Sequence, residues 1–265
     1  MAITAKDVAG LRQRTGVGMM DCKKALEETN GDVQAAVELL RKKLKGKMDE
    51  RADRAAGEGA IAIARSANAA VMIELRSETD FAARNEGFLQ ASRKIAQLAL
   101  EGPDGEVTVT PEMTSLIDEL RITIKENISL ARGIKLSGPV GTYEHHNRQV
   151  GALVQGEGAI PEDLLNGLCQ HVTAATPTPL AVDESGLPAD EVDRQRTEAI
   201  EEAKASGKPA EIAEKIATGK LRKWIDDNTL LGQIYLRELD ARKPVRDYLP
   251  KGARIKCFTR YSVGT

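Results

Sequence analysis

Val71-Met72-Ile73-Glu74-Leu75-Arg76-Ser77-Glu78-Thr79-Asp80-Phe81-Ala82-Ala83-Arg84-Asn85-Glu86-Gly87-Phe88 carries the two periodicities from which the fold can be read. Val71, Ile73 and Leu75 fall on one side of a period-two segment, which predicts a strand. From about Asn85 to Leu100 the period lengthens, and Phe88, Ala91, Ile95 and Leu98 share one helical face. Residues 77–84 must therefore form a tight strand-to-helix connection. Two readings of that turn stand open. In the plainer one, Thr79 or Asp80 caps the helix and Phe81 packs beneath it as a staple. In the sharper one, Asp80 and Phe81 project from a rigid ledge into a partner, a carboxylate beside an aromatic being suited to disturbing a metal–phosphate site there.

Working outward, Ile61 and Ile63 alternate with alanines and Ala67-Asn68-Ala69 offers a turn, so two strands precede the helix. Glu112 to Lys125 reads as a further helix. The β-β-α order then returns, with a strand over 134–143, a turn at His146-Asn147-Arg148, a strand over 150–155 and a helix over 161–173 opened by Pro161. This predicts an α+β core in two parts with an internal duplication, residues 57–140 forming one half and 141–182 with 224–265 the other. Leu230–Leu236 and Arg254–Val263 read as strands returning to the second half.

Ahead of the core, residues 1–45 predict three short helices. Thr4 caps the first, Gly16 ends it, Met19–Glu28 is the second, and Asp32 caps the third, whose apolar face is Val33, Ala36, Val37, Leu40 and Leu44. So small a module buries little surface and needs a docking face. Residues 46–56 read as a basic linker, within a stretch (41–54) holding seven basic side chains against three acidic ones. No aromatic interleaves those charges, which weighs against an RNA contact. Residues 183–223 predict an antiparallel helical hairpin. Its first limb is acidic, its second basic, Ser206-Gly207-Lys208-Pro209 is the turn, and Ile212, Ile216 and Leu221 form a thin apolar stripe. Such a hairpin suits an interaction or dimerisation arm.

Composition narrows function. The 265 residues carry 38 Lys and Arg against 40 Asp and Glu, a net charge of −2, whereas a phosphate-gripping protein is usually basic. Three separated cysteines fit a reducing compartment, and no apolar run is long enough for a membrane span. A cytoplasmic protein is expected. Gly57-Glu58-Gly59 and Gly156-Glu157-Gly158 are too short for a dinucleotide fingerprint, and Gly207-Lys208 and Gly219-Lys220 lack the rest of a phosphate loop. A metal enzyme built on His145, His146, Cys169 and His171 is a rival reading, but the paired spacings of zinc ligands are missing. Aromatics are only 3% of the chain, so an exposed one would be conspicuous.

Three signatures in order resemble the bacterial elongation factor Ts family. They are Leu11-Arg12-Gln13-Arg14-Thr15-Gly16-Val17-Gly18-Met19-Met20-Asp21-Cys22-Lys23-Lys24-Ala25-Leu26, then Thr79-Asp80-Phe81 with Gly87-Phe88, then Ser206-Gly207-Lys208-Pro209 with Ile212-Ala213-Glu214-Lys215. The resemblance implies a ubiquitin-associated-like amino-terminal module, a two-part α+β core and an inserted helical arm. It implies guanine-nucleotide exchange on the GTPase elongation factor Tu, with no catalytic residue, no cofactor, no metal, and no direct nucleic-acid or membrane contact. Thr79, Asp80, Phe81 and Ala82 match the positions that dislodge the partner's Mg²⁺. Arg12, Met19, Met20, Ile124 and His145, the last within Tyr143-Glu144-His145, match further contact positions. Two substitutions depart from the pattern: Ala82 stands where Val is usual, and Lys125 where Gly is common. The chain also ends at Thr265, short of a helical tail seen in some relatives, so any contact of that tail is expected to be lost.

Overall fold

The computed structural model describes residues 3–49, 53–205 and 209–265. In chain order the elements are α1 (Ala5–Thr15), α2 (Met19–Glu28), α3 (Val33–Asp49), β1 (Glu58–Arg65), β2 (Ala69–Ser77), α4 (Asp80–Ala83), α5 (Glu86–Glu101), β3 (Gly105–Glu106) and α6 (Pro111–Ile124). They continue with β4 (Ser129–Ser137), β5 (Val140–Glu144), β6 (Val150–Glu157), α7 (Glu162–Ala174), α8 (Ala189–Ala205), α9 (Ala210–Asn228) and β7 (Arg254–Ser262).

Local chemistry sets the first three helices. Thr4 Oγ1 accepts from the Asp7 amide while the Asp7 carboxylate accepts from the Thr4 amide, a reciprocal cap. Gly16 closes α1 at φ 64°, and the Asp32 carboxylate accepts from the amides of Gln34 and Ala35 to open α3. Val8, Leu11, Cys22, Leu26, Ala36 and Leu40 bury one small core that also takes in Ile122 of α6, so the module is seated on the rest of the chain. Gly16 is the point of closest approach. A Cβ there would lie 2.3 Å from Thr123 Cγ2. The side chain of Leu44 and the turn expected at Ser206-Gly207-Lys208 lie outside the described residues. α3 runs to Asp49, into the stretch expected as a linker from residue 46; lysines favour helix, and one Gly46 costs only about 1 kcal/mol.

Two antiparallel sheets form the core, one in the order β1-β2-β4-β3 and the other β5-β6-β7. Alternation along the strands builds four layers. Val71, Ile73 and Leu75 of β2 face α5 and α6, where Phe88, Ile95, Met113 and Ile117 are buried. The opposite residues, Ala70 and Met72, meet Leu153 of β6 and Tyr261 of β7 in the other sheet. On the far side of β6, Ala152 and Val154 pack on Leu165, Leu168 and Val172 of α7. Glu74 falls in the layer between the sheets, wholly buried, and is held by Arg76 Nε at 2.7 Å and Arg132 Nε at 2.6 Å.

Three expectations are corrected. The single strand over 134–143 is two strands in different sheets, because Gly138 (φ 94°) and Pro139, which has no amide hydrogen, turn the chain from one sheet to the other. The division set at 140/141 accordingly falls at the start of β5. Leu230–Leu236 is not a strand. Its apolar run is broken at Gly232, where a Cβ would lie 2.5 Å from Asp226 Cα, and the segment turns there instead, with Leu230, Leu231 and Tyr235 entering the second core and Ile234 exposed. The helical arm extends beyond residue 223 to Asn228, and its seam is mainly alanine: Ala199 and Ala203 of α8 pack on Ala213 and Ala217 of α9, joined by Ile216, while Leu221 packs beside Ile225 and Ile212 is exposed. Of its charges, Lys220 reaches Glu202 across the seam at 2.5 Å, whereas Arg194 and Arg196 pair along α8 itself.

Candidate partner-binding site

The strand-to-helix turn contains a helix of its own. Thr79 Oγ1 accepts from the Ala82 amide at 3.2 Å and so caps the four-residue α4, while Asn85 caps α5 separately through its contact with the Gly87 amide. The cap in the plainer reading is present, but the staple is not. α4 turns Ala82 and Ala83 into the core and leaves Phe81 83% exposed. Among the described residues it is the most exposed of the large apolar side chains. Asp80 beside it, half-buried, is paired with exposed Arg84 at 3.2 Å, a contact worth at most about 1 kcal/mol and readily exchanged for another.

Charged groups fix the base of this ledge. The Glu126 carboxylate accepts from the Thr79 amide at 3.0 Å and from its hydroxyl at 2.6 Å. In return the Glu78 carboxylate accepts from the Asn127 amide at 2.7 Å, and Asn127 Nδ2 donates to the Arg54 carbonyl at 2.8 Å. Three segments distant in sequence are thus tied at one point. Lys125, just before, ends α6 at φ 66°. That left-handed conformation is one glycine adopts without cost and a residue with a Cβ only seldom.

Around the ledge lie three shallow grooves. Phe81, Ala82, Asn85, Leu120, Thr123, Ile124 and Glu126 line the first, which brings Ile124 together with the ledge; buried Ala82 is its floor, so the apolar projection is Phe81 alone. The second joins Asp80, Ala83 and Arg84 to the loop His146–Gln149. His145 sits just before that loop, half-buried, its Nδ1 2.8 Å from the Tyr143 hydroxyl. The third runs between Gln13–Val17 and Glu119, Ile122 and Thr123 of α6. Arg12, Met19 and Met20, close to that stretch in sequence, are exposed on the module. Of the residues expected to contact a partner, Phe81, Ala82 and Ile124 thus share one groove and Asp80 lines the next, while His145, Arg12, Met19 and Met20 line none of the three.

The family model described as Elongation factor TS matches residues 78–265, opening on Glu78 at the clasp. The elongation factor Ts of Thioalkalivibrio sulfidiphilus is 39% identical over an alignment covering all of this chain and 93% of that protein. That of Alkalilimnicola ehrlichii is 38% identical with the same coverage, and that of Rhizobium meliloti 40% identical over 91% of this chain and 84% of the relative. This chain belongs to the elongation factor Ts family.

In this member of the elongation factor Ts family the rival metal constellation is not assembled. Among the described residues no group of three or more His, Cys, Asp or Glu side chains is placed to hold a metal ion. Cys169 is buried, and desolvation pushes its thiol up to about 12. His171 is a structural group. Its Nδ1 accepts from the Leu236 amide at 3.3 Å, so Nε2 carries the proton and donates to Gln233 Oε1 at 2.8 Å. The Gln233 amide nitrogen in turn donates to the carbonyls of Pro177 and Asp227, fixing its orientation. Burial lowers the His171 pKa, against a smaller opposing effect of the Gln233 bond. The unfolded chain therefore takes up a proton that the folded chain refuses, and stability falls as pH drops below about 6.5. A histidine Cε1 proton assigned to His171 by NMR should titrate below that value, and a thermal melt at pH 5.5 should lie below one at pH 7.5. No helix among the described residues is long and apolar enough to cross a membrane.

Proposed function

We infer that this chain is the guanine-nucleotide exchange factor for the GTPase elongation factor Tu. It binds the GDP-bound GTPase, disturbs the Mg²⁺ and phosphate site, and lets GTP replace GDP, with no covalent step. The observation that carries this reading is Phe81, exposed on a short helix whose two alanines are buried and whose cap is held by Glu126. A GTPase holds its nucleotide through backbone donors, a lysine and Mg²⁺ bridging the phosphates. A rigid apolar wedge with Asp80 at its side can favour the state in which that arrangement is displaced. Binding the nucleotide-free state more tightly lowers GDP affinity by the same ratio, and by linkage excess nucleotide ejects the exchange factor.

Burial of one Phe contributes roughly 1.5–3 kcal/mol, about 10–150-fold in affinity. Larger acceleration requires Arg12, Met19, Met20, Ile124 and His145 to act with the ledge. On this reading the three-helix module is the ubiquitin-associated-like part, the two β-β-α halves are a duplicated core, in keeping with their common strand plan, and the protein works in the cytoplasm. Stopped-flow release of a fluorescent GDP analogue from elongation factor Tu tests the reading. Release should accelerate with added chain and saturate; a folded chain that leaves the rate unchanged overturns it.

A further inference from the structure

We propose that Glu126 is the positioning residue of the Phe81 ledge, setting the direction in which the wedge points through the two hydrogen bonds its carboxylate accepts from Thr79. The functional part of this inference rests on the exchange reading above; the structural part does not.

α4 has four residues, too few to hold itself in water, since helix nucleation is costly and only longer helices repay it. Its buried residues, Ala82 and Ala83, are the smallest chiral side chains and supply little packing to resist rotation. What remains is Thr79, the cap. Its hydroxyl donates to Glu126 Oε1 at 2.6 Å while accepting from the Ala82 amide at 3.2 Å, so one oxygen couples the carboxylate to the helix. Its amide donates to Glu126 Oε2 at 3.0 Å, leaving neither carboxylate oxygen idle. Hydrogen bonds to an ionised acceptor are the short, strong kind. The geometry needs an acceptor on both oxygens, which glutamate provides and glutamine does not: Oε1 of Gln can take one Thr79 donor, but its NH₂ faces the other. Glu78 completes the arrangement from the opposite side by accepting from the Asn127 amide, so the residue after Glu126 is itself held. Asn127 also reaches the Arg54 carbonyl, which places the segment arriving from the amino-terminal module on the same fastening. A partner that pushes on the module or on the end of α6 thereby pushes on the base of the wedge.

Two measurements separate the parts of the proposal. The first uses the free full-length chain. In Glu126→Ala the amides of Ala82, Ala83 and Arg84 should lose protection from hydrogen exchange by at least about tenfold, the consequence of losing a charge-assisted hydrogen bond, while amides in the middle of α5 keep theirs. Glu126→Gln should fall between, and Thr79→Ser, which keeps the hydroxyl, should resemble the parent. Unchanged protection in Glu126→Ala overturns the assignment whatever the chain's activity. The second is a double-mutant cycle on GDP release. If Glu126 acts by presenting Phe81, Glu126→Ala slows release in the parent but adds nothing in the Phe81→Ala background. Equal slowing in both backgrounds means Glu126 acts elsewhere and defeats the proposal. A parent chain that accelerates nothing defeats the exchange reading instead, and the hydrogen-exchange result still decides what holds the ledge.

Discussion

Replacement of Phe81 by alanine is expected to reduce the acceleration of GDP release by about 10–150-fold, the worth of one fully buried Phe, and to leave the thermal melt within about 1–2 °C of the parent. The two halves of that expectation come from one observation. At 83% exposure the ring makes few contacts to lose within its own chain, so its removal creates no cavity. Its only large energetic opportunity is burial in another molecule, and anchors of this kind concentrate binding energy. Leu239, also exposed, lies in the segment between α9 and β7 and is not among the residues lining the three grooves. Leu239→Ala is therefore the matched control, and should change neither release nor melting. Release rates of Phe81→Ala equal to those of the parent would remove the wedge from the mechanism.

The elements that could be read in advance are those whose causes are local. Thr4, Gly16 and Asp32 fix helix ends within a few residues, and alternation marks β1 and β2. What escaped was decided over distance. The Thr79–Glu126 and Glu78–Asn127 bonds span 47 and 49 residues, and no periodicity relates a glutamate after one helix to a threonine before another. The orientation of Phe81 stands open in the sequence because residues 77–84 read as a connection into a single helix; two capping residues, Thr79 and Asn85, are the available sign that there are two. The Leu230–Leu236 segment misled for the opposite reason. Leu230 and Tyr235 are buried as a strand's residues would be, but around a turn at Gly232 where a Cβ would clash, and Ile234 is left exposed. Nor does any local pattern show that Lys125 ends α6 in the left-handed conformation, directly before Glu126.

Phe88→Ala, the same chemical change seven residues further on, should have the reverse outcome. Phe88 is fully buried where α5 meets β1 and β2, among Ala60, Val71, Ile73, Leu75 and Ile95. Truncating such a side chain costs about 3–5 kcal/mol through lost transfer energy and the cavity left behind. For a chain of this size that corresponds to a fall in Tm of about 6–20 °C. Phe88→Leu, which refills part of the space, should recover more than half of it. Because α4 stands on the same sheet and helix, the cavity loosens the ledge only as the core itself loosens. Well below its lowered Tm, Phe88→Ala should therefore still accelerate GDP release to within a few-fold of the parent. The contrast is a direct test of which way the turn at Thr79 rotates the chain. Had Phe81 been the staple beneath α5, its removal would lower Tm and spare binding. A Phe88→Ala variant that melts like the parent yet fails to accelerate release would show that the two aromatics exchange roles, and that the connection after β2 faces inward.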